Sequence, residues 1–248
     1  MISSQVLSAL KPVGIPNLGN TCYINAVMQA LASSSALLTH VSQMPHSKNC
    51  SQSSEKCLLC SLEQFLALLS TSNSLEEVNF RMKSLLECIY TNLPLFTKGS
   101  QEDAHELLIS LINTFRTEPA YNSLFLGQLC CQIRCQDCGI TSRKLESFSV
   151  LSVDIQHAGS LHTSLHTHFH EEYLYGTNAY FCSQCKQPSS LAVKSVHIHS
   201  PPEVLFIHLK RFVYEERQSK KLTHYVDYPR QLDVSAFIDK VSLAFDPL

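Results

Sequence analysis

Apolar residues recur with a helical period in the first half of the chain. In the stretch 24–31, Ile24, Val27, Met28 and Leu31 lie three or four positions apart, which is the spacing of one face of an α-helix. The same spacing returns at 62–69, 82–89 and 108–115. The pattern therefore predicts a helical first half, with the second helix starting near Ser61.

The second half of the chain changes to a period of two, which predicts strands. Apolar and polar residues alternate over 129–133 and 151–155. The run 204–209 is mostly apolar and follows two prolines, as is typical of a short strand buried on both faces. A further strand is predicted at 225–228. Helices followed by strands predict an α+β fold.

Composition narrows the function classes. The 248 residues are 44% hydrophobic, and the net charge of -2 gives no basic surface for nucleic acid or an anionic membrane. No segment reaches the roughly 20 apolar residues that span a bilayer. The first residues lack the basic start and apolar core of a signal peptide. The eleven cysteines include Cys-x2-Cys pairs, which point to metal and not to disulfides in a chain of this length without a signal peptide, and therefore to a reducing compartment, either cytoplasm or nucleus.

Two Cys-x2-Cys pairs in the second half predict a zinc site. Cys135 and Cys138 form one pair, and Cys182 and Cys185 form the other, with a long insertion between them. Two thiolates one short turn apart can chelate one ion, and four sulfurs at about 2.3 Å complete a closed, structural Zn²⁺ site. The alternative is two unrelated pairs of free cysteines.

A second set of zinc ligands is spaced along a polar loop in the first half: His46, Cys50, Cys57 and Cys60. One histidine and three cysteines form a known structural zinc ligand set, although free loop cysteines remain the alternative. Five histidines also crowd the segment 157–170, without a regular ligand spacing. Leu161, Leu165 and Phe169 predict a helix there with its histidines on the solvated sides.

Cys22 stands where a polar, glycine-bearing turn becomes a helix. Asn20 and Thr21 just before it are residue types that favour the N-cap position. Unpaired N–H groups and the helix dipole favour thiolate over thiol at this end of a helix. A buried structural cysteine is the alternative. Farther along, Ser100 and Asp103 fit a capping box at the start of the helix over 108–115.

Together these segments resemble the ubiquitin-specific protease family. Five stretches carry the resemblance: the cysteine box 17–31, the glutamine-aspartate segment 99–108, the two outer cysteine pairs, the strand 202–212, and 221–232. They occur in the family's order and span roughly Gly14 to Phe237. The set His46, Cys50, Cys57 and Cys60 resembles an additional zinc site of some family members.

The resemblance implies a papain-like cysteine protease fold over 14–248. It consists of a helical thumb (about 14–125), zinc-stapled β fingers (about 126–200) and a partial β palm (about 201–248). It also implies a thiol-dependent deubiquitinase that hydrolyses the bond after the terminal glycine of ubiquitin. Its partners are ubiquitin and ubiquitinated proteins, its only metal is structural Zn²⁺ (one ion, or two with the loop set), and it needs no catalytic cofactor.

Four residues take roles from this resemblance. Cys22 matches the nucleophile, and Asn17 matches the side-chain donor of the oxyanion hole, with the Cys22 N–H as the second donor. Gln101 and Asp103 match positions that line the channel for the ubiquitin tail. Asp103 can serve as a helix cap as well as a substrate contact.

The family's histidine box is not matched in the 248 residues. The box carries the general base and bears glycine, but no glycine follows Gly176. His208 lies in the strand motif and His224 precedes the segment that leads to the box, so neither matches. Two readings follow: a fragment or isoform of a deubiquitinase, or an inactive pseudo-protease that binds ubiquitin or acts as a scaffold. A third reading, a zinc-ribbon module that binds nucleic acid, is weak because no basic patch accompanies the cysteine pairs.

Overall fold

The computed structural model describes residues 13–52, 56–72, 74–215 and 218–239. They form two compact units that divide between Phe125 and Leu126. Helices build the first unit and strands dominate the second, so the chain is α+β as the sequence predicts. Within the described residues, no helix is long and apolar enough to cross a membrane.

The first unit is built from helices that bury apolar side chains between them. Its helices are α1 Cys22–Ala32, α2 Ser35–Gln43, α3 Leu58–Thr71, α4 Leu75–Asn92, α5 Ala104–Phe115 and α6 Asn122–Phe125, with short 3₁₀ turns at His46–Lys48 and Pro119–Tyr121. Helix α1 packs on α2, α3 and α5. Its predicted apolar face is buried because Ile24, Met28 and Leu31 are fully covered. This packing fixes the helix whose first residue is Cys22.

The second unit is built from strands and one helix. Its elements are β1 Gly127–Cys135, β2 Thr141–Phe148, β3 Val150–Asp154, α7 Leu161–His168, β4 Glu172–Leu174, β5 Phe181–Cys182, β6 Gln187–Pro188, β7 Ala192–Ser200, β8 Phe206–Lys210, β9 Phe212–Glu215 and β10 Gln218–Lys221. Short 3₁₀ turns lie at Gly176–Asn178 and Ser235–Phe237. An antiparallel sheet has the order β2-β1-β7-β4, while β3 pairs with β8 in parallel. Hairpins β5–β6 and β9–β10 complete the strand pairing of the described residues.

The core of this unit gathers around β3 and α7. Helix α7 packs on β3, and Phe169 stacks on Phe237 with 5.0 Å between the ring centroids. The histidines of the crowded segment lie mainly on the outside of α7, as predicted; His162 and His166 are both exposed. The buried members of the cluster are Leu151, Val153, Ile155, Leu161, Leu165, Phe169, Ile198, Leu222, Val226 and Phe237.

Three predictions about local structure are wrong. No strand forms at 225–228; instead Asp227 pairs with the turn before α7, donating to the Gly159 carbonyl at 2.9 Å. The capping box also fails, because α5 begins at Ala104 and Asp103 itself is the N-cap. Helix α3 begins at Leu58, three residues before Ser61, so that Cys60 lies inside its first turn.

Strand β8 is shifted and less buried than predicted. It covers 206–210 instead of 204–209, and its residues are half-buried or exposed. Among the described residues, β8 forms a two-stranded sheet with β3. A strand of a two-stranded sheet keeps part of its surface accessible, which explains the incomplete burial.

Candidate active site and metal centres

Cys22 is the first residue of α1 and is an exposed free thiol, which excludes the buried structural alternative. The helix begins so abruptly because Gly19 and Asn20 adopt left-handed backbone conformations, with φ of +99° and +53°. Glycine reaches this region without strain, and asparagine tolerates it better than most residues. The turn therefore delivers the thiol to the helix N-terminus, where backbone N–H groups lack intrahelical partners.

Asn17 is the residue that organises this turn. Its Oδ1 accepts hydrogen bonds from the backbone N–H groups of Gly19 and Thr21, both at 3.1 Å, and from Thr21 Oγ1 at 3.2 Å. Thr21 Oγ1 in turn accepts from the Leu18 N–H at 3.0 Å. The carboxamide oxygen is thus fully used inside the turn. Its other end, the Nδ2 amide, has no hydrogen-bond partner among the described residues and stays available as a donor.

The Cys22 turn is joined to the loop that precedes α5. Asn20 Nδ2 donates to the Gly99 carbonyl at 2.7 Å, and Gly99 itself has a φ of +84°. This contact was not predicted, because it joins residues that are far apart along the chain. It brings the turn with Asn17 and Cys22 next to the loop that carries Gln101 and Asp103.

Gln101 and Asp103 are both exposed. The Asp103 Oδ1 accepts from the His105 N–H at 2.7 Å, so the carboxylate caps α5 as one of its predicted roles requires. Its second oxygen makes no hydrogen bond within the described part of the chain. The side chain therefore caps the helix and still presents an acceptor at the surface.

A cavity of about 500 Å³ lies beside these two loops. Both loops contribute to its wall, and the exposed side of α4 supplies the rest. Lys98 at its rim pairs with Glu87 of α4 at 2.9 Å. The lining residues are Leu18, Gly19, Lys83, Leu86, Glu87, Tyr90, Lys98 and Gly99.

His208 and His224 both make contacts within the second unit. A backbone carbonyl can only accept, so His224 Nε2, at 3.0 Å from the Ile155 carbonyl, carries a proton and donates it to that oxygen. His208 Nδ1 lies 3.1 Å from Ser152 Oγ on the paired strand β3. The first contact joins a side chain to the backbone, and the second joins side chains of two paired strands.

Four of the cysteines of the second unit, Cys135, Cys138, Cys182 and Cys185, form one cluster. Their sulfur atoms all lie within 4.8 Å of one another. The distance between Cys138 Sγ and Cys182 Sγ is 3.7 Å, and that between Cys135 Sγ and Cys185 Sγ is 4.0 Å. Four sulfurs at about 2.3 Å from a tetrahedral Zn²⁺ are about 3.8 Å apart. The cluster therefore fits this ion, and the alternative of two unrelated pairs is wrong.

Local backbone geometry favours a thiolate at Cys182 in this cluster. Hydrogen bonds from the backbone N–H groups of Cys185 and Gln184 lower the pKa of Cys182 to about 7, whereas hydrogen bonding to the Cys138 sulfur raises the pKa of Cys185. Four adjacent thiols cannot all ionise without a compensating positive charge, which a divalent cation supplies. The carboxylate of Asp137 accepts hydrogen bonds from both the N–H and the hydroxyl of Ser190. The sequence did not predict this contact.

The four ligands predicted in the first unit also come together. His46, Cys50, Cys57 and Cys60 offer ligand atoms that lie within 4.8 Å of one another. His46 Nε2 is 3.5 Å from Cys57 Sγ, close to the roughly 3.6 Å expected between a nitrogen and a sulfur on one tetrahedral Zn²⁺. The Gln52 N–H lowers the pKa of Cys50, while burial raises that of Cys60. Zinc therefore fits this cluster as well.

We expect two zinc ions per chain, because two complete four-ligand clusters are present. The Cys57→Ser/Cys60→Ser double variant should hold one, since it removes half of the ligands of the first unit's cluster and leaves the other untouched. Elemental analysis of the purified proteins measures both ratios. A ratio of one in the unmodified chain would show that the first unit's cluster binds no zinc.

Comparison with known proteins agrees with these motifs. The family model described as "Ubiquitin carboxyl-terminal hydrolase" matches residues 13–244. Ubiquitin carboxyl-terminal hydrolase 23 of Arabidopsis thaliana is 32% identical over 242 residues, which cover 91% of this chain and 27% of the relative. Ubiquitin carboxyl-terminal hydrolase 17-like protein E of Mus musculus is 30% identical over 243 residues, covering 92% and 43%. The chain therefore belongs to the ubiquitin carboxyl-terminal hydrolase family, as the resemblance to ubiquitin-specific proteases predicts.

Solved structures show the same fold. A chain in the structure of the SAGA Ubp8/Sgf11/Sus1/Sgf73 DUB module bound to ubiquitin aldehyde superposes with a TM-score of 0.82 at 26% identity. The match covers 96% of this chain and 55% of that chain. The chain described here thus spans between about a quarter and about half of the length of these relatives.

Proposed function

We propose that this chain carries the nucleophile, oxyanion donors and structural zinc sites of a thiol-dependent deubiquitinase. The reaction is hydrolysis of the bond after the C-terminal glycine of ubiquitin. The observation that carries the proposal is the geometry of one turn: Cys22 is exposed at the start of α1, and Asn17 is anchored by its oxygen with its amide left free. The related DUB module, which binds ubiquitin aldehyde, supports ubiquitin as the partner.

In the proposed reaction the Cys22 thiolate attacks the carbonyl carbon of the terminal glycine. The carbonyl oxygen becomes an oxyanion, which accepts hydrogen bonds from Asn17 Nδ2 and the Cys22 N–H. When the tetrahedral intermediate collapses, the C–N bond breaks and the amine leaves with a proton from a general acid. A thioester between ubiquitin and Cys22 remains, and water hydrolyses it to release free ubiquitin and the thiol.

Substrate contacts and domain roles extend this proposal. Gln101 and Asp103 are assigned to the ubiquitin tail, supported by their exposure and by the hydrogen bond that joins their loop to the Cys22 turn. Residues 14–125 act as the thumb, 126–200 as the fingers and 201–248 as part of the palm. The partners are ubiquitin and ubiquitinated proteins, and neither nucleic acid nor a membrane has a role.

Zinc in this proposal is structural, and no catalytic cofactor is required. The eight ligands are Cys135, Cys138, Cys182 and Cys185 in the fingers, and His46, Cys50, Cys57 and Cys60 in the thumb. We place the protein in the cytoplasm or nucleus. None of the eleven cysteines is joined in a disulfide, which supports a reducing compartment.

An inactive, ubiquitin-binding pseudo-protease is the second candidate. The observation in its favour is that His208 and His224 do not match the histidine box and make contacts within the second unit. The zinc-stapled surface would then bind ubiquitin or another partner without cleavage. The coding sequence past Leu248 separates the two candidates, because a histidine box there favours the enzyme and a stop codon favours the scaffold.

We expect the 248-residue chain alone to turn over a fluorogenic ubiquitin substrate slowly or not at all, since its motifs include no general base. Such assistance is worth about 10² to 10⁴-fold in rate. A chain extended through a histidine box should turn over the substrate faster by that factor, and Cys22→Ala should abolish the gain in rate. Rapid turnover by the 248 residues, abolished by Cys22→Ala, would mean that a histidine already present acts as the base.

A further inference from the structure

The two ring nitrogens of His46 face different partners. Nδ1 lies 2.6 Å from the carboxylate oxygen Oε1 of Glu118, while Nε2 lies 3.5 Å from Cys57 Sγ. A carboxylate can only accept, so Nδ1 carries the proton and Nε2 presents its lone pair to the cysteines. The side chain of His46 is 17% exposed and that of Glu118 is 38% exposed, so water has limited access to this pair.

The backbone of His46 is fixed independently. Its N–H donates to Glu63 Oε1 at 2.9 Å, and the same oxygen accepts the Tyr121 hydroxyl at 2.7 Å. Glu63 and Tyr121 are 2% and 1% exposed. A buried carboxylate with two donors on one oxygen is held firmly, because moving it would leave those donors unpaired. The Cα of His46 is therefore anchored, and only the ring torsions remain to be set.

One short segment supplies both contacts from outside the ligand loop. Glu118 immediately precedes the 3₁₀ turn Pro119–Tyr121, and the Tyr121 N–H donates to the Glu118 carbonyl at 3.0 Å. The turn thus presents a carboxylate to the His46 ring and a hydroxyl to the carboxylate that holds the His46 backbone. Nothing in the ligand spacing of 46–60 points to a residue so distant in sequence.

We propose that Glu118 is a positioning residue of the first unit's zinc site, which selects Nε2 of His46 as the ligand atom by accepting a hydrogen bond from the protonated Nδ1. This inference rests on zinc being held by His46, Cys50, Cys57 and Cys60. A hydrogen bond to the outer nitrogen fixes the tautomer and ring orientation and makes the inner nitrogen a stronger donor to the metal. Glu118 touches no metal itself and acts only through His46.

The test compares Zn²⁺ affinity at the two clusters of the same protein. In a competition titration with a chromogenic chelator, Glu118→Ala should weaken binding at the His46 cluster by about 10 to 100-fold. The Zn²⁺ affinity of Glu118→Gln should lie between that of Glu118→Ala and that of the unmodified chain, because the amide oxygen still accepts a hydrogen bond from Nδ1. The all-cysteine cluster should change less than about twofold, since it contains no histidine. Glu76→Ala, at an exposed position in the first turn of α4, is the matched control.

Long-range ¹H–¹⁵N spectra of labelled histidine report which ring nitrogen of His46 is protonated and which binds the metal. A general loss of stability would not change this tautomer. In the zinc-loaded chain His46 should show a protonated Nδ1 and a metal-bound Nε2, and Glu118→Ala should give a mixture of ring states. Unchanged zinc affinity in Glu118→Ala, together with a loss in His46→Ala, would overturn the role of Glu118. Unchanged affinity in both variants would remove His46 from the ligand set and overturn the inference at its base.

Discussion

In a chain extended through a histidine box, replacing Asn17 by alanine or aspartate is expected to lower the turnover number by about 10² to 10³-fold, with little change in ubiquitin affinity. The reason is that the Nδ2 donor is needed only when the carbonyl oxygen becomes an oxyanion. Asn17→Asp is the sharper variant, because an aspartate oxygen can still accept from Gly19, Thr21 and the Thr21 hydroxyl. It preserves the turn while removing the donor.

Turnover and affinity have to be measured separately for this variant. Single-turnover kinetics on a fluorogenic ubiquitin substrate report the chemical step, and titration of labelled ubiquitin against the Cys22→Ala form reports binding. Asn113→Ala, at an exposed position on α5, is the matched control and should change neither. If Asn17→Asp weakened binding without slowing the chemical step, the residue would be a substrate contact and not an oxyanion donor.

Loss of the cysteine cluster in the second unit is expected to unfold the segment around it while leaving the core of that unit intact. Strands β5 and β6 are two residues each, and a hairpin of this size has little stability of its own. A structural zinc site contributes on the order of 10 kcal/mol or more. In Cys182→Ser/Cys185→Ser we therefore expect one zinc ion fewer and loss of order between residues 180 and 191.

Hydrogen exchange can localise this effect. The amides of Gln136 and Ser189 donate to the carbonyls of Leu191 and Tyr180, and both should exchange rapidly in the double variant. Amides of β3 and β8 should keep their protection, since their apolar cluster holds no zinc ligand. Cys131→Ser removes a half-buried thiol of β1 that lies outside the cluster, and it should leave zinc content unchanged. Retained protection at Gln136 and Ser189 in the double variant would show that the hairpins do not depend on metal.

The sequence predicted those features that depend on local periodicity or on spacing. The buried face of α1 follows directly from apolar residues at helical intervals. Cys135 and Cys138 could be joined to Cys182 and Cys185 because thiols in such pairs have few alternatives to a shared metal. The roles of Asn17 and Cys22 come from the separation that the family motif fixes, and they stay predictions.

Features that depend on long-range partners could not be predicted. The segment 225–228 has the composition of a strand, but Asp227 finds its hydrogen bonds in the turn before α7. Asp103 caps α5 in preference to Ser100, whose hydroxyl instead accepts from Thr97 at 2.8 Å. The contacts from Asn20 to Gly99 and from Glu118 to His46 join distant parts of the chain. Neither leaves a periodic signal in the sequence.

The central claim is that Cys22 is the nucleophile that attacks the C-terminus of ubiquitin. The most direct measurement is the reaction of the chain with ubiquitin that carries a C-terminal electrophile, followed by intact mass and peptide mapping. The account predicts one ubiquitin per chain, attached at Cys22, and no adduct in Cys22→Ala even though Cys88, Cys130 and Cys131 remain as thiols outside the two zinc clusters. An adduct at another cysteine, or its persistence in Cys22→Ala, would contradict the assignment.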